Sequence, residues 1–186
     1  MIDSAIESLI SVGAQLHAGG LNAGTAGNLS LRLDEARVVI TRSRVRKAVL
    51  TADDFVLLDL ERPSTEALER ASSEYRIHLA AYGNDSVAAV IHAHSPALTA
   101  IGLRRSSFPT SLPELSSVVG EIVINPFEPS GSERLASDVG RAVQRGVGVV
   151  ILKRHGVVTV GESIDHALDR LELSENAART LLLAER

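Results

Sequence analysis

Two valine-rich apolar segments flank the tripeptide Arg154-His155-Gly156 within residues 147–160 of the sequence. Each segment has the length and the β-branched composition of a buried strand, and the polar tripeptide between them is typical of a hairpin turn. Helical periodicities occur elsewhere in the chain, so this hairpin restricts the fold to an α/β arrangement with antiparallel neighbours in its sheet. The pattern predicts helices packed on a mixed or antiparallel sheet and disfavours a doubly wound parallel one.

The rest of the sequence alternates between strand and helix patterns. Further strands are predicted, in chain order, at residues 28–33, 37–41, 55–60, 87–94 and 115–124. Helices are predicted at about residues 3–18, 72–82, 96–102, 131–144 and 163–184. Ser72 is the expected N-cap of the second helix. With 186 residues and no internal repeat or linker, the chain is interpreted as a single domain spanning residues 1–186.

Composition narrows the classes of function. Aromatic residues make up only 3% of the chain and the net charge is −4, which argues against nucleic-acid binding, although one basic cluster occupies residues 42–47. The absence of cysteine excludes disulfides, thiolate metal sites and thiol nucleophiles, and it favours a reducing cytoplasm. No apolar stretch approaches the roughly 20 residues of a membrane span, and the first residues lack the pattern of a secretory signal. We therefore expect a cytoplasmic protein that binds neither nucleic acid nor membranes.

The segment His92-Ala93-His94 is the sharpest local feature of the sequence. Because side chains in a strand alternate between its faces, both imidazoles point to the same side of the sheet, within reach of one ion. His155, at the tip of the hairpin, offers a third imidazole. Three neutral imidazoles with a carboxylate or a water suit a catalytic zinc ion. An ordinary hydrogen-bonded histidine pair and an exposed turn histidine remain alternative interpretations of the same residues.

A phosphate site is suggested by Ser72 and Ser73, which open a predicted helix beside Glu74. The free N–H groups of a helix N-terminus attract anions, and the glycine-rich segment 24–28 offers a second cradle. A helix cap and a simple turn are the alternative interpretations of these segments. His78, one helical turn after Glu74, is interpreted as a helical partner of that residue. Two other histidines lack partners at ligand spacing and are interpreted as surface residues: His17 and His166.

Four segments, taken in order, carry a resemblance to a known family: residues 21–30, Ser72-Ser73-Glu74 with His78, His92-Ala93-His94 and Arg154-His155-Gly156. Their order and spacing resemble the class II aldolase and adducin head-domain family and, within it, the L-fuculose-phosphate aldolases. The similarity extends from the first helix almost to the last residue. It implies a three-layer α/β/α fold, with helices flanking a mostly antiparallel central sheet.

The same resemblance implies a function and a set of site residues. It implies one zinc ion per subunit, or another divalent metal, held by Glu74, His92, His94 and His155. It implies a homotetramer with sites at subunit interfaces, in which the substrate phosphate is surrounded by Gly27, Asn28, Thr41, Ser43, Ser72 and Ser73. The implied reaction is the reversible cleavage of a phosphorylated ketose, such as L-fuculose 1-phosphate, to dihydroxyacetone phosphate and an aldehyde. For that reaction the resemblance implies that Glu74 transfers the proton and that the metal stabilises an enediolate.

Departures from the family pattern bear on the substrate. The segment Thr41-Arg42-Ser43-Arg44 stands where the family usually has Thr-Pro-Ser/Thr-Gly, so Arg44 either disturbs the loop or adds a charge for an anionic substrate. A family tyrosine that protonates the aldehyde oxygen should fall near Pro113-Glu114, and Phe127 replaces another tyrosine. A sugar-phosphate 4-epimerase or a sugar-acid-phosphate decarboxylase on the same metal site therefore remains an alternative. A non-catalytic, adducin-like assembly module is a weaker one.

Overall fold

The structure is a computed structural model that describes residues 2–109, 113 and 115–185. Its helices are α1 (Ile2–Ala18), α2 (Thr65–Arg70), α3 (Tyr75–Ala81), α4 (Pro96–Arg104), α5 (Glu133–Gln144) and α6 (Ile164–Ala184). Its strands are β1 (Asn28–Arg32), β2 (Arg37–Thr41), β3 (Phe55–Asp59), β4 (Ala89–Ala93), β5 (Ile122–Asn125), β6 (Val149–Leu152) and β7 (Gly156–Gly161). None of the helices within these residues is both long enough and apolar enough to cross a membrane.

The strands form one sheet in the order β3-β2-β1-β4-β7-β6-β5. The predicted hairpin is confirmed, because β6 and β7 pair antiparallel with Ile151 opposite Val157. The expectation of a mostly antiparallel sheet needs one correction. The sheet is mixed, although largely antiparallel, since β5 and β6 run parallel. The chain passes from β5 through helix α5 before it enters β6, and such a crossover returns it in the same direction.

Helices cover both faces of the sheet, as an α/β/α arrangement requires. Neighbouring strand residues point to opposite sides, so that Ile91 joins one apolar cluster and Val90 joins the other. The first cluster contains residues of α1, α4 and α6, among them Leu9, Leu98 and Leu171. The second contains residues of α3 and α5, among them Ile77 and Val139. The two cores consist mainly of valine, leucine, isoleucine and alanine, as the low aromatic content predicts.

Three local predictions differ from the structure. No helix is predicted between the strand at 55–60 and the helix at 72–82, but the structure has the short helix α2 there. The next helix begins at Tyr75, with Glu74 rather than Ser72 at its N-cap. The segment 115–124 is not one strand, because a short π-helical segment, Leu115–Val119, precedes β5. Serine, glycine and glutamate residues interrupt the apolar residues of this segment, so its pattern does not distinguish one strand from a helical turn followed by a strand.

A buried carboxylate from α6 closes the N-terminus of α4. The two carboxylate oxygens of Glu175 accept hydrogen bonds from the backbone N–H groups of Ala97 and Leu98, at 3.1 and 3.0 Å. Arg179 donates a further hydrogen bond to the same carboxylate at 3.0 Å. Helix N-termini attract negative charge, so this contact fixes the start of α4 two residues after His94.

We expect Glu175→Gln to lower the free energy of unfolding by about 1.5–3 kcal/mol, because charge-assisted hydrogen bonds to buried N–H groups are lost. Urea denaturation followed by circular dichroism measures this change. Glu172→Gln, at an exposed position of the same helix, is the matched control and should leave stability unchanged. Equal stabilities for the two variants would contradict the assigned role of Glu175.

Candidate metal centre

Three histidines and one glutamate converge at the carboxyl end of β4. His92 lies in β4, His94 directly follows it, His155 lies in the turn between β6 and β7, and Glu74 is the N-cap of α3. One ligating atom from each residue lies within 4.8 Å of all the others. Glu74 Oε2 is 3.0 Å from His92 Nε2, and Glu74 Oε1 is 3.2 Å from His155 Nε2. The fold thus brings together the four residues that the resemblance implied as ligands.

Two glycines allow the backbone to approach this cluster closely. Gly27 has a φ of +72°, and a Cβ atom there would lie 2.4 Å from the carbonyl oxygen of His92. A Cβ atom on Gly156 would lie 2.3 Å from the carbonyl oxygen of Ala93. Both distances are far below van der Waals contact, so neither position accommodates a larger residue without moving the backbone that carries the histidines.

Hydrogen bonds orient the imidazoles. His92 Nδ1 donates to the carbonyl oxygen of Val157 at 3.0 Å, so its Nε2 atom points towards Glu74 and His94. His92 Nε2 and His94 Nε2 are 3.1 Å apart. Lone pairs on these nitrogens and on the carboxylate repel one another unless a positive charge, from a proton or a metal ion, lies among them. The donor set of imidazole nitrogens and one carboxylate fits a divalent metal such as zinc.

The electrostatic surroundings favour the ligating forms of these side chains. Burial, followed by the nearby charge of His92, lowers the pKa of His94 to about 4 and also lowers the pKa of His155. Neutral imidazole is the form that binds metal. Burial alone raises the pKa of the Glu74 carboxyl, but the hydrogen bond and charge of His92, with the charge of His155, hold that pKa well below its ordinary value. Glu74 is therefore ionised at neutral pH.

The structure adds supporting residues that the sequence patterns did not single out. Ser130 donates a hydrogen bond to Glu74 Oε1 at 2.8 Å, and Asn22 Oδ1 accepts the backbone N–H of His94 at 2.9 Å. The interpretation of His78 as a helical partner of Glu74 is wrong. Its ring is fully buried and lies 2.5 Å from Asn28 Oδ1, so it faces β1 instead.

A cavity of about 300 Å³ adjoins the cluster, and Glu74, His94 and His155 line it. The cavity is also lined by five of the six residues expected around a phosphate: Gly27, Asn28, Ser43, Ser72 and Ser73. Thr41 is the exception, because it is fully buried and its hydroxyl accepts the backbone N–H of Leu29 at 3.1 Å. Ser72 and Ser73 lie in the turn before α3, so they reach the cavity from a turn rather than from a helix N-terminus.

Two arginines add positive charge to the same cavity, Arg42 and Arg44. Arg44 has a φ of +63°, in the left-handed region that glycine adopts more readily, at a cost of about 1–2 kcal/mol. Its exposed side chain makes no hydrogen bond or ion pair with any residue that the structure describes. Arg42 donates to the carbonyl oxygen of Asp53 at 3.2 Å. The loop at Arg44 therefore forms a turn without the family glycine, and the arginine lines the cavity.

The last basic residue of this segment, Lys47, is buried beneath the cavity wall. Its Nζ atom donates hydrogen bonds to the carbonyl oxygens of Thr25 and Val45, at 2.8 and 2.9 Å. Burial lowers the pKa of Lys47 to about 8, and the nearby Glu74 opposes part of that change. The lysine thereby joins the loop before β1 to the loop after β2.

The expected tyrosine is not found in the lining of the cavity, as far as the structure describes the chain. Pro113 is exposed, and Glu114 lies outside the described residues. Tyr82 is buried, and its hydroxyl lies 2.7 Å from Ser30 Oγ, on the far side of His78. Phe127 is 52% exposed, with the guanidinium group of Arg154 5.6 Å from its ring centroid.

Comparison with known proteins decides the family. The model of the class II aldolase and adducin N-terminal domain matches residues 7–182. The chain belongs to this family. It is accordingly an enzyme of the class II aldolase type, a metal-dependent lyase. The resemblance that the four sequence segments carry is confirmed.

Curated relatives within the class II aldolase family carry out different reactions. The chain is 33% identical over 157 residues to L-fuculose phosphate aldolase from Methanococcus maripaludis, with 84% of each chain covered. It is 30% identical over 179 residues to 3-oxo-tetronate 4-phosphate decarboxylase from Haemophilus influenzae, covering 93% of this chain and 84% of that protein. It is also 30% identical over 186 residues to methylthioribulose-1-phosphate dehydratase from Acidiphilium cryptum, covering 94% and 88%.

A solved structure of the class II aldolase family has the same fold. The crystal structure of L-fuculose-1-phosphate aldolase from Thermus thermophilus aligns with a TM-score of 0.88 and 29% sequence identity. The alignment covers 97% of this chain and 94% of that one. The α/β fold with helices on both faces of a mixed sheet is thus shared along nearly the full length of both chains.

Proposed function

We propose that this protein is a zinc-dependent aldehyde-lyase that cleaves a phosphorylated ketose, of the L-fuculose 1-phosphate type, to dihydroxyacetone phosphate and an aldehyde. The observation that supports this most is the convergence of Glu74 with three histidines beside a cavity lined by serine hydroxyls. The identity to an L-fuculose phosphate aldolase is in keeping with it. A phosphorylated sugar also fits the other relatives, whose names all specify phosphate esters.

In this proposal Glu74, His92, His94 and His155 hold one zinc ion. When bound, such an ion supplies Lewis-acid polarisation of the ketose carbonyl. Glu74 moves the proton: it accepts one from carbon in the synthetic direction and returns one in the cleavage direction. Its ionised state at neutral pH and its hydrogen bonds from Ser130 and Asn28 leave the carboxylate oriented for that role.

The substrate phosphate is proposed to bind at the serine-lined wall of the cavity. Ser43, Ser72 and Ser73 offer hydroxyl donors there, and Gly27 and Asn28 contribute from the opposite loop. Thr41 supports the site from beneath, through its hydrogen bond to the backbone of Leu29. Hydroxyl and backbone donors of this kind fix the position of a phosphate without competing for the metal.

One observation favours a second candidate, the decarboxylation of a sugar-acid phosphate. Arg42 and Arg44 line the cavity, so a substrate with a carboxylate as well as a phosphate would find a second cationic group. The 30% identity to a 3-oxo-tetronate 4-phosphate decarboxylase agrees with that chemistry. Loss of carbon dioxide from a 3-oxo acid and loss of an aldehyde from a ketose both leave negative charge on the oxygen of the adjacent ketone carbonyl. The same site could therefore stabilise either product.

Metal analysis and a substrate panel test the proposed function together. Purified protein should contain one zinc ion, or a close substitute, per chain by mass spectrometry of the metal. The panel comprises fuculose, rhamnulose, ribulose and 5-deoxyribulose phosphates, methylthioribulose 1-phosphate and four-carbon sugar-acid phosphates, with identification of the products. Release of dihydroxyacetone phosphate from a ketose phosphate is the expected result. A folded protein that binds no divalent metal and turns over none of these compounds would refute the proposal and favour an assembly module.

Arg44→Gly is expected to raise KM for the phosphorylated substrate roughly tenfold, equivalent to about 1.4 kcal/mol, because a cationic contact with the anion is lost. Glycine accepts the left-handed backbone at this position, so the loop keeps its shape. Arg44→Lys retains the charge and should recover most of the affinity. Steady-state kinetics on the active compounds of the panel measure the effect. A KM that is unchanged in Arg44→Gly would exclude Arg44 from substrate binding.

The proposal extends to domain, assembly and compartment. We propose a single domain over residues 1–186, a cytoplasmic homotetramer with sites at subunit interfaces, and no nucleic-acid or membrane partner. The cavity as described lacks a tyrosine, so a neighbouring subunit that completes the site would supply the missing acid. The exposed ring of Phe127, near the hairpin that carries His155, is one apolar group available for such a contact. Light scattering coupled to gel filtration gives the number of subunits directly.

A further inference from the structure

A row of buried hydrogen bonds leads from Glu74 away from the cavity. Asn28 Nδ2 donates to Glu74 Oε2 at 3.2 Å, and Asn28 Oδ1 lies 2.5 Å from His78 Nε2. The other ring nitrogen of His78 lies 2.6 Å from Ser30 Oγ, which in turn lies 2.7 Å from the Tyr82 hydroxyl. All five residues are buried. The row therefore connects the carboxylate of the site to a tyrosine deep in the molecule.

The spacing of residues in a helix and in a strand places these side chains in one row. Glu74, His78 and Tyr82 are spaced by four residues, so they follow one face of α3 from its N-cap to its C-cap. Asn28 and Ser30 are spaced by two residues in β1 and point to the same side of the sheet. The helix face meets this side of the strand, and each polar group of the row bonds to one on the opposite element.

The donor and acceptor chemistry of the row fixes the direction of every bond. An ionised Glu74 only accepts, so the amide nitrogen of Asn28 faces it and Asn28 Oδ1 faces His78. His78 must then donate from Nε2 and accept at Nδ1, which is one tautomer of the neutral ring. Burial, with the charge of His92 as a smaller cause, lowers the pKa of His78 to about 3 and keeps the ring neutral. Ser30 donates to the ring, and Tyr82 donates to Ser30.

We propose that His78 is a positioning residue for the reaction, because it holds the amide of Asn28 with its N–H group towards Glu74. The opposite amide orientation would place Asn28 Oδ1 against the carboxylate, where two acceptors repel each other. With the amide held in this orientation, Asn28 donates a hydrogen bond to one carboxylate oxygen of Glu74, and Ser130 donates one to the other. This inference rests on the proposed function, in which Glu74 transfers the proton.

The test compares His78→Met with His78→Gln in the zinc-loaded enzyme. Methionine removes both ring nitrogens and leaves an apolar side chain of similar size. Glutamine retains an N–H donor for Asn28 and an acceptor for Ser30. We expect His78→Met to lower kcat about 10- to 100-fold, the usual effect of losing a residue that orients a metal site, with KM and zinc content unchanged. His78→Gln should recover most of that loss.

Tyr82→Phe is the matched control for the loss of a buried hydrogen bond. It removes one bond from the same row, but the Asn28 amide remains held between Glu74 and His78. We expect it to reduce thermal stability while kcat stays unchanged. Equal losses of kcat in Tyr82→Phe, His78→Met and His78→Gln would reduce the role of His78 to packing and would overturn the proposal.

A double variant separates positioning from a general structural effect. Because His78 acts through Asn28, adding His78→Met to Asn28→Ala should lower kcat no further. Additive losses would contradict the proposal. Nitrogen-15 NMR of the wild-type zinc enzyme is an independent test, because it reports which ring nitrogen of His78 carries the proton. We expect a neutral ring protonated on Nε2. A ring protonated on Nδ1 would overturn the proposal. A wild-type protein without metal-dependent turnover would instead refute the proposed function, so the two failures are distinguishable.

Discussion

Replacing Glu74 with glutamine is expected to lower kcat on the order of 10³-fold while the metal stays bound, a loss typical of removing a general acid or base. Glutamine has nearly the size of glutamate and keeps one oxygen directed at the histidines. It cannot take up a proton at neutral pH, however, so the step assigned to Glu74 is lost. The three imidazoles remain to hold the ion. Turnover and zinc per chain should be measured on the same preparation.

Glu121→Gln serves as the control for this prediction, because Glu121 is exposed and does not line the cavity. Its turnover should equal that of the wild-type protein. Unchanged turnover in Glu74→Gln would remove Glu74 from the proton transfer. Loss of both metal and turnover would assign Glu74 to metal binding alone, and the proton carrier would then have to be sought elsewhere.

The layered fold could be predicted from the sequence wherever a pattern is local. The hairpin of β1 and β2 occurs where an alternating polar and apolar segment and a β-branched run flank a polar turn, and β2 has the predicted bounds of 37–41. The direction of β5 could not be predicted in this way. Its parallel pairing with β6 depends on the crossover through α5, which no local pattern encodes. The prediction of one strand over 115–124 is wrong for residues 115–119, because their mixture of serine, leucine and valine does not specify a strand.

The candidate site shows the same division between local and long-range information. His92 and His94 could be placed together from strand periodicity alone. The approach of these histidines to Glu74 and His155 could not be predicted from local patterns, because the four residues come from three separate parts of the chain. Only the resemblance of the ordered segments grouped all four as ligands. The role of His78 could not be predicted either, because a spacing of four residues from Glu74 fits both a surface pair and a buried row. Burial distinguishes the two, and burial of a helix face depends on what packs against it.

His155→Ala is expected to reduce zinc content well below one ion per chain and to lower kcat by at least about 10³-fold. The Lewis-acid contribution of a metal is worth several kcal/mol, and each 1.36 kcal/mol is about tenfold in rate. His155 is the ligand candidate that comes from the β6–β7 turn, so its loss removes the imidazole opposite Glu74 Oε1 without disturbing β4. Zinc titration followed by activity measures affinity and turnover in one experiment.

His166→Ala is the matched control, because His166 lies in α6 and outside the group of four candidate ligands. It should retain zinc and full turnover. Activity in His155→Ala that returns at high zinc concentration would assign His155 mainly to metal affinity, since the remaining imidazoles and Glu74 then suffice for the reaction. Full zinc content together with wild-type kcat would exclude His155 from the metal centre.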